Sequence, residues 1–350
     1  MRFLERLFHT EKQAESVVLI GIGENVVCGA CVRYEDGRSP TVHYTRSLPV
    51  TIREGEECER AVLRALKSLG DDLIREGAPA LARAVGNGVV NTMLVAIDTP
   101  WQKVLSRTEY FEQREPFAFT EDLVEKRLAE ADIAEADETI VDKSIIGATL
   151  NGYATSAPYG KEARRASITV LASLVKTRVK DSVTEIMRGL YHTRDIRFIA
   201  GSSLRYQTTR SLFPHDRDAI IIDATDGLTS IAIVREGVLV TLTNIRTPTG
   251  GSGWAARVTK ELDTISALHS LPRIIFLLAQ ESEALALRQD LDTDDFAALW
   301  HNTGAMPKIV PVLKTLVGGS VRQLSTEPVD LGILLKTLYY QRHASKKSSF

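Results

Sequence analysis

The chain has 350 residues, 44% of them apolar and 25% charged, which is room for two domains of ordinary size around a substantial core. A formal net charge of -2 excludes a global pull toward nucleic acid or an acidic surface, so any such contact would need a local patch. Three cysteines, Cys28, Cys31 and Cys58, are too few for a disulfide framework; no secretory signal precedes them and no apolar run approaches the roughly 20 residues that span a bilayer. The expectation is a reducing cytosol and a chain that is soluble or held at a membrane surface.

In "MRFLERLFHTEK" the residues Phe3, Leu4, Leu7 and Phe8 fall at helical spacing, with Arg2, Arg6 and Lys12 on the other side. So short a helix needs a partner or a lipid surface to hold it, and residues 1–16 are predicted to be such a docking segment, with a frayed or self-docked end as the alternative. From Val17 to Val32 the pattern is strand, tight glycine-containing turn, strand, followed by another strand near "TVHYTRSLPV". "EECERAVLRALKSLGDDLIREGAPALARAV" predicts a helix that weakens at Gly77 and Pro79, and "NTMLVAID" a buried strand. Residues 17–100 thus open an α/β domain.

Residues 101–175 read as an inserted strand, helix, strand, strand module: "KVLSRTEYFEQ", a helix capped by Thr120, then "TIVDKSIIGATL" and "RASITVLASLV", with a loop over "NGYATSAPYGKEA". Residues 176–215 return to the first domain through the helix "VKDSVTEIMRGLYHTR" and the strand "IRFIAG". Residues 216–342 form a compact second half. It begins with "IIIDATDGLTSIAIVREGVLV", two apolar runs about a polar turn. A glycine turn feeding the helix "TPTGGSGWAARVTKELDTI" follows, then the strand "RIIFLLAQ", the helix "ESEALALRQDL", the strand "KIVPVL" and the closing helix "PVDLGILLKTLYYQRH". Tyr339 and Tyr340, with Leu334, Leu335 and Leu338, are expected to complete the core of that half. Residues 343–350 are expected to be a disordered tail.

Several smaller motifs have weak claims. Cys28 and Cys31 make a CxxC on a strand, where residues three apart face opposite sides, so two structural thiols are expected and no metal site. "GIGENV" lacks the third glycine of a dinucleotide fingerprint and leads into a strand. The serines of "GSSL" at 201–204 would need a histidine such as His192 or His215 to be nucleophiles, "GGSGW" is no GxSxG elbow, and "KEARRAS" is a solvated loop with no role in nucleic-acid binding.

Two strand-turn-strand hairpins in successive α/β halves resemble the actin, sugar kinase and heat-shock-protein superfamily of actin-like ATPases, with its ribonuclease H-like fold. There, two hairpin turns and a later glycine turn surround the phosphates of ATP. Within it the chain is most similar to the PilM family of type IV pilus assembly and the FtsA family of cell division, both of which carry a small module inserted in the first half. The first turn reads Gly21, Ile22, Gly23, Glu24, without the family's aspartate for the magnesium shell and with a carboxylate where phosphate oxygens would lie. The second keeps Asp223 and Thr229 at the family's positions, with Thr225 and Asp226 in place of two glycines and Gly227 remaining; glycines belong there because phosphate must approach backbone N–H groups closely. Gly250 and Gly251 match the later glycine turn, while the adenosine turn reads Ala279 and Gln280.

The resemblance implies a non-catalytic or weakly nucleotide-binding scaffold at the cytoplasmic face of a bacterial inner membrane, bound to the cytoplasmic tail of an inner-membrane pilus protein. It implies no required cofactor and leaves homo-oligomers open. The alternatives are an FtsA-like division tether, an active ATPase using ATP with magnesium, and a structural protein whose module binds other partners.

Overall fold

The computed structural model describes residues 14–90, 92–129, 135–155, 157–191, 193, 195–225, 228–245, 251, 253–300 and 306–347, with side chains to 343. The elements run β1 (Ala14–Ile22), β2 (Val26–Glu35), β3 (Thr41–Pro49), α1 (Cys58–Asp72), a π turn (Leu73–Gly77), α2 (Ala78–Val85), β4 (Thr92–Ile97), β5 (Gln102–Phe119) and α3 (Glu121–Ala129). Next come β6 (Glu138–Leu150), β7 (Tyr153–Ala154), β8 (Lys161–Lys176), α4 (Thr177–Leu190), β9 (Asp195–Ala200), α5 (Gly201–Leu212), β10 (Ala219–Asp223), β11 (Thr229–Arg235) and β12 (Val238–Ile245). The last are α6 (Trp254–Ser266), β13 (Ile274–Leu278), α7 (Ala284–Asp290), α8 (Asp294–Ala298), β14 (Lys308–Val312), α9 (Lys314–Gly318), β15 (Arg322–Gln323) and α10 (Leu331–Lys347).

Two sheets repeat one plan. In the first, ordered β15-β3-β2-β1-β4-β9, an antiparallel meander β1-β2-β3 is joined on its β1 side by the parallel strand β4. In the second, ordered β12-β11-β10-β13-β14, the meander β10-β11-β12 is joined on its β10 side by the parallel strand β13. This duplication matches the predicted pair of α/β halves. A third sheet, β5-β8-β6-β7, is the inserted module.

The chain divides into two compact units: residues 1–98, 179–198 and 314–350 make one, and residues 99–178 and 199–313 the other. In the first, α1 buries Ala61, Val62, Ala65, Leu66 and Leu69, spaced so that they share one stripe of the helix. Each fully buried leucine contributes about 1.5–3 kcal/mol. The weakening expected at Gly77 and Pro79 takes the form of the π turn, which runs with helical backbone straight into α2, so that Pro79, which has no N–H to donate, falls where the π turn gives way to α-helix.

The closing helix α10 belongs to this first unit, not to the second half as the sequence order suggests. Tyr340 packs on Tyr34 of β2 with ring centroids 4.8 Å apart, and the Tyr34 hydroxyl donates to the Thr337 carbonyl at 3.1 Å. The two-residue strand β15 pairs with β3 just before it. Asp330 caps α10 by accepting from the Ile333 N–H at 2.7 Å. The helix runs on to Lys347, through much of the tail expected to be disordered, because residues 333–340 are buried on nearly every side and hold it down.

In the second unit, α6 drives Trp254, Val258, Leu262 and Ile265 into a core shared with β10, β11 and β13. The module has its own core of Phe111, Phe119, Val124, Ile168 and Val170. The Thr120 hydroxyl accepts from the Leu123 N–H at 3.3 Å and caps α3 as expected. Gly147 of β6 lets the module come close to the second sheet, since a Cβ there would stand 3.2 Å from a methyl of Val238 on β12.

Two differences from the sequence reading have local causes. The run after Asp223 is two strands and not one, because Glu236 (φ 52°) and Gly237 (φ 83°) make a two-residue hairpin turn with left-handed backbone. Helix α5 went unread because its inward side chains include Ser202, Ser203, Arg205, Thr208 and Thr209, which give no apolar periodicity. The short elements α8, α9, β7 and β15, of two to five residues each, have no periodic pattern in the sequence.

Candidate nucleotide-binding turns

In the first unit the β1–β2 turn is closed by the Gly23 N–H, which donates to the Val26 carbonyl at 3.0 Å, and Glu24 is exposed at its tip. Gly21 lies opposite Cys28 in the antiparallel pair. A Cβ at Gly21 would stand 2.6 Å from Lys336 Nζ and 2.7 Å from Cys28 Sγ. The space that an aspartate would need is occupied by a lysine head from α10.

Cys28 and Cys31 are buried, free thiols on opposite faces of β2. Cys28 faces Lys336, and Cys31 lies beneath Gly77 of the π turn. Burial pushes the Cys28 thiol up to about 11 against the pull of the neighbouring ammonium, and the Cys31 thiol up to about 12. Neither has the electropositive, open setting of a reactive thiol. Among the described residues no group of His, Cys, Asp or Glu is placed to hold a metal ion.

In the second unit, Asp223 ends β10 with its carboxylate fully engaged. Arg205 Nε of α5 donates to Oδ2 at 2.5 Å, and the Thr225 hydroxyl and N–H donate to Oδ1 at 2.6 and 3.2 Å. The Arg205 and Asp223 side chains are only 8% and 7% exposed. Thr229 is wholly buried, and its hydroxyl accepts from Trp254 Nε1 of α6 at 2.8 Å. Gln280, at the adenosine-turn position, donates to the Thr225 carbonyl at 3.5 Å.

The structure thus gathers Asp223, Thr225 and Thr229 about one turn, with Gly251 accepting from the Trp254 N–H at 2.9 Å at the start of α6. Gly227, Gly250 and Asp226 lie outside the described residues, as do Phe3, Leu4, Leu7, Phe8 and His192. The serines of "GSSL" have amide partners: Ser202 donates to Gln102 Oε1 at 3.0 Å, and Ser203 accepts from Gln207 Nε2 at 3.1 Å. Sequence reasoning missed Arg205, Lys336 and the role of Trp254. Lys336 did leave a signal, a single charge among apolar neighbours in "LGILLKTLYY".

No family model matches the sequence, and no curated protein matches it. A solved structure described as the PilM-PilN type IV pilus biogenesis complex aligns over 93% of this chain and 98% of its own, with a TM-score of 0.58 at 14% identity. The chain has the actin-like ATPase fold. Two further structures align with TM-scores too low to carry an argument. One is a Bacteroides thetaiotaomicron protein described as having an actin-like ATPase fold (0.39; 8% identity; 85% of this chain and 91% of that one). The other is the cytoplasmic domain of EpsL, an inner membrane component of the Vibrio cholerae type II secretion system (0.40; 7%; 94% and 95%).

The actin-like fold implies ATP held with magnesium, and the described side chains at these turns do not fit that ligand. A metal-bound phosphate needs carboxylate and hydroxyl oxygens free to coordinate. Here the Asp223 carboxylate is neutralised by Arg205, the Thr229 hydroxyl is bonded to Trp254, and position 21 faces an ammonium.

Proposed function

We propose that this chain is a non-catalytic scaffold of the actin-like fold, working at the cytoplasmic face of a bacterial inner membrane in type IV pilus assembly or a related secretion platform. On this reading it binds the cytoplasmic tail of an inner-membrane protein, much as its PilM likeness is described in complex with PilN, and it requires neither nucleotide nor metal. The observation that carries the non-catalytic part is the buried Arg205–Asp223 pair, a protein cation on the carboxylate that an ATPase of this fold would leave open. The alignment over 93% of the chain supports the choice of the pilus branch, while its 14% identity speaks for the fold alone.

Titration calorimetry with ATP and Mg²⁺, at concentrations that detect a Kd near roughly 100 μM, tests the first part. Silence is expected. Mg²⁺-dependent hydrolysis lost in Asp223→Asn would overturn it. For the second part, co-expression with the cytoplasmic tail of a single-span pilus protein from the same genome is expected to give a stoichiometric complex. A chain that stays free of every such tail refutes the pilus reading.

A further inference from the structure

The first unit carries a buried cation at its turn. Lys336, in the second turn of α10, is 5% exposed, and its Nζ lies 3.8 Å from Cys28 Sγ. The head sits in a cradle left open by two glycines: a Cβ on Gly21 would fall 2.6 Å from Nζ, and one on Gly332, a helical turn earlier, 3.4 Å. The same Gly332 Cβ would fall 3.2 Å from Asp330 Oδ1, so a carboxylate shares the cradle with the lysine head. An ammonium is strongly disfavoured in a protein interior unless acids of this kind accompany it. Such an arrangement is specified side chain by side chain, unlike a surface lysine stem folded inward.

Position 21 is also where the fold calls for a carboxylate and, with it, a divalent cation. A side chain at 21 could enter only by moving the lysine head and the Cys28 thiol, 2.6 and 2.7 Å from its Cβ, out of the places they hold. A divalent ion brought to the same place would meet the fixed positive charge of Nζ.

We propose that Lys336 is the resident cation of the β1–β2 turn, a tethered ammonium standing where a metal-holding carboxylate and its metal would otherwise go, so that this turn is closed to divalent metal. The inference concerns one unit and is independent of the pilus reading, which could fail while this one stands.

The test uses the full chain. Urea midpoints are compared for Gly21→Ala, Lys336→Ala and the pair. The resident-cation account expects Gly21→Ala to lower the midpoint in the wild-type background, where the lysine head must give way, and to lower it much less beside Lys336→Ala, where only the Cys28 thiol has to move. Equal drops in both backgrounds would overturn it. Hydrogen exchange over residues 20–28 of the wild type, with Mn²⁺ added in the absence and presence of ATP, is expected to be unchanged. Mn²⁺-dependent protection of that segment would also overturn the proposal, and this measurement stands even if Lys336→Ala does not fold; Lys336→Met then supplies the second background.

Discussion

Replacing Arg205 by methionine tests the feature on which the non-catalytic reading rests. The pair is 2.5 Å long between side chains 8% and 7% exposed, so removing the guanidinium strands a carboxylate in the interior. Breaking a buried pair from one side costs about 3–5 kcal/mol. Two hydrogen bonds from Thr225 still reach Asp223, which places the loss near the lower limit, at about 3 kcal/mol. The double variant Arg205→Met/Asp223→Leu removes both charges and is expected to lose only about 1 kcal/mol, a strongly non-additive result. Urea denaturation followed by tryptophan emission reads this directly, because Trp254 and Trp300 are buried in the same unit. A loss below about 1 kcal/mol for Arg205→Met would show a pair behaving like an exposed one and would refute the reasoning.

Three further outcomes are expected. Trp254→Phe removes the donor to the buried Thr229 hydroxyl and is expected to cost about 1–3 kcal/mol in thermal or urea unfolding, with Thr229→Val adding little on top. Because burial raises the Cys28 and Cys31 thiols, the unfolded chain loses those protons first, near its ordinary value of 9.0. Stability then falls from about pH 9 until the folded thiols ionise at about 11 and about 12, and Cys31→Ala is expected to flatten that alkaline slope in urea midpoints. Glu56 is held down to about 2, first by the hydrogen bond from the Arg64 side chain and then by that from the Arg53 N–H. Its contribution is therefore complete above its ordinary value and is lost as pH falls toward 2; carboxyl NMR titration should show Arg64→Gln moving it upward.

Much of this architecture was legible before any coordinates. The runs "VVLI" in β1 and "AIII" in β10 are apolar throughout, and α1 repeats its apolar positions at helical spacing, so local pattern and tertiary burial agree. The first hairpin is marked by Gly23, where a Cβ would stand 3.3 Å from the Val26 carbonyl. Helix α5 shows no such apolar pattern because it is buried through polar side chains, some satisfied one turn away in the helix, as Thr208 is by the Leu204 carbonyl, and others by residues distant in sequence, such as Asp223 for Arg205 and Gln102 for Ser202. Tyr339 and Tyr340 were assigned to the wrong half for a related reason: apolar periodicity says that a helix face is covered, not by what.

By itself, then, the order of strands, turns and helices determined the duplicated α/β plan, its inserted module and the positions where a phosphate would be sought, because those features depend on residues close in the chain. What occupies those positions was decided only by the tertiary structure. Arg205, 18 residues before Asp223, Trp254, 25 after Thr229, and Lys336, 308 after Cys28, come together only when the helices carrying them pack on their sheets. A buried charge has no preference for sequence neighbours; it pairs with whatever the packing brings within a few ångströms.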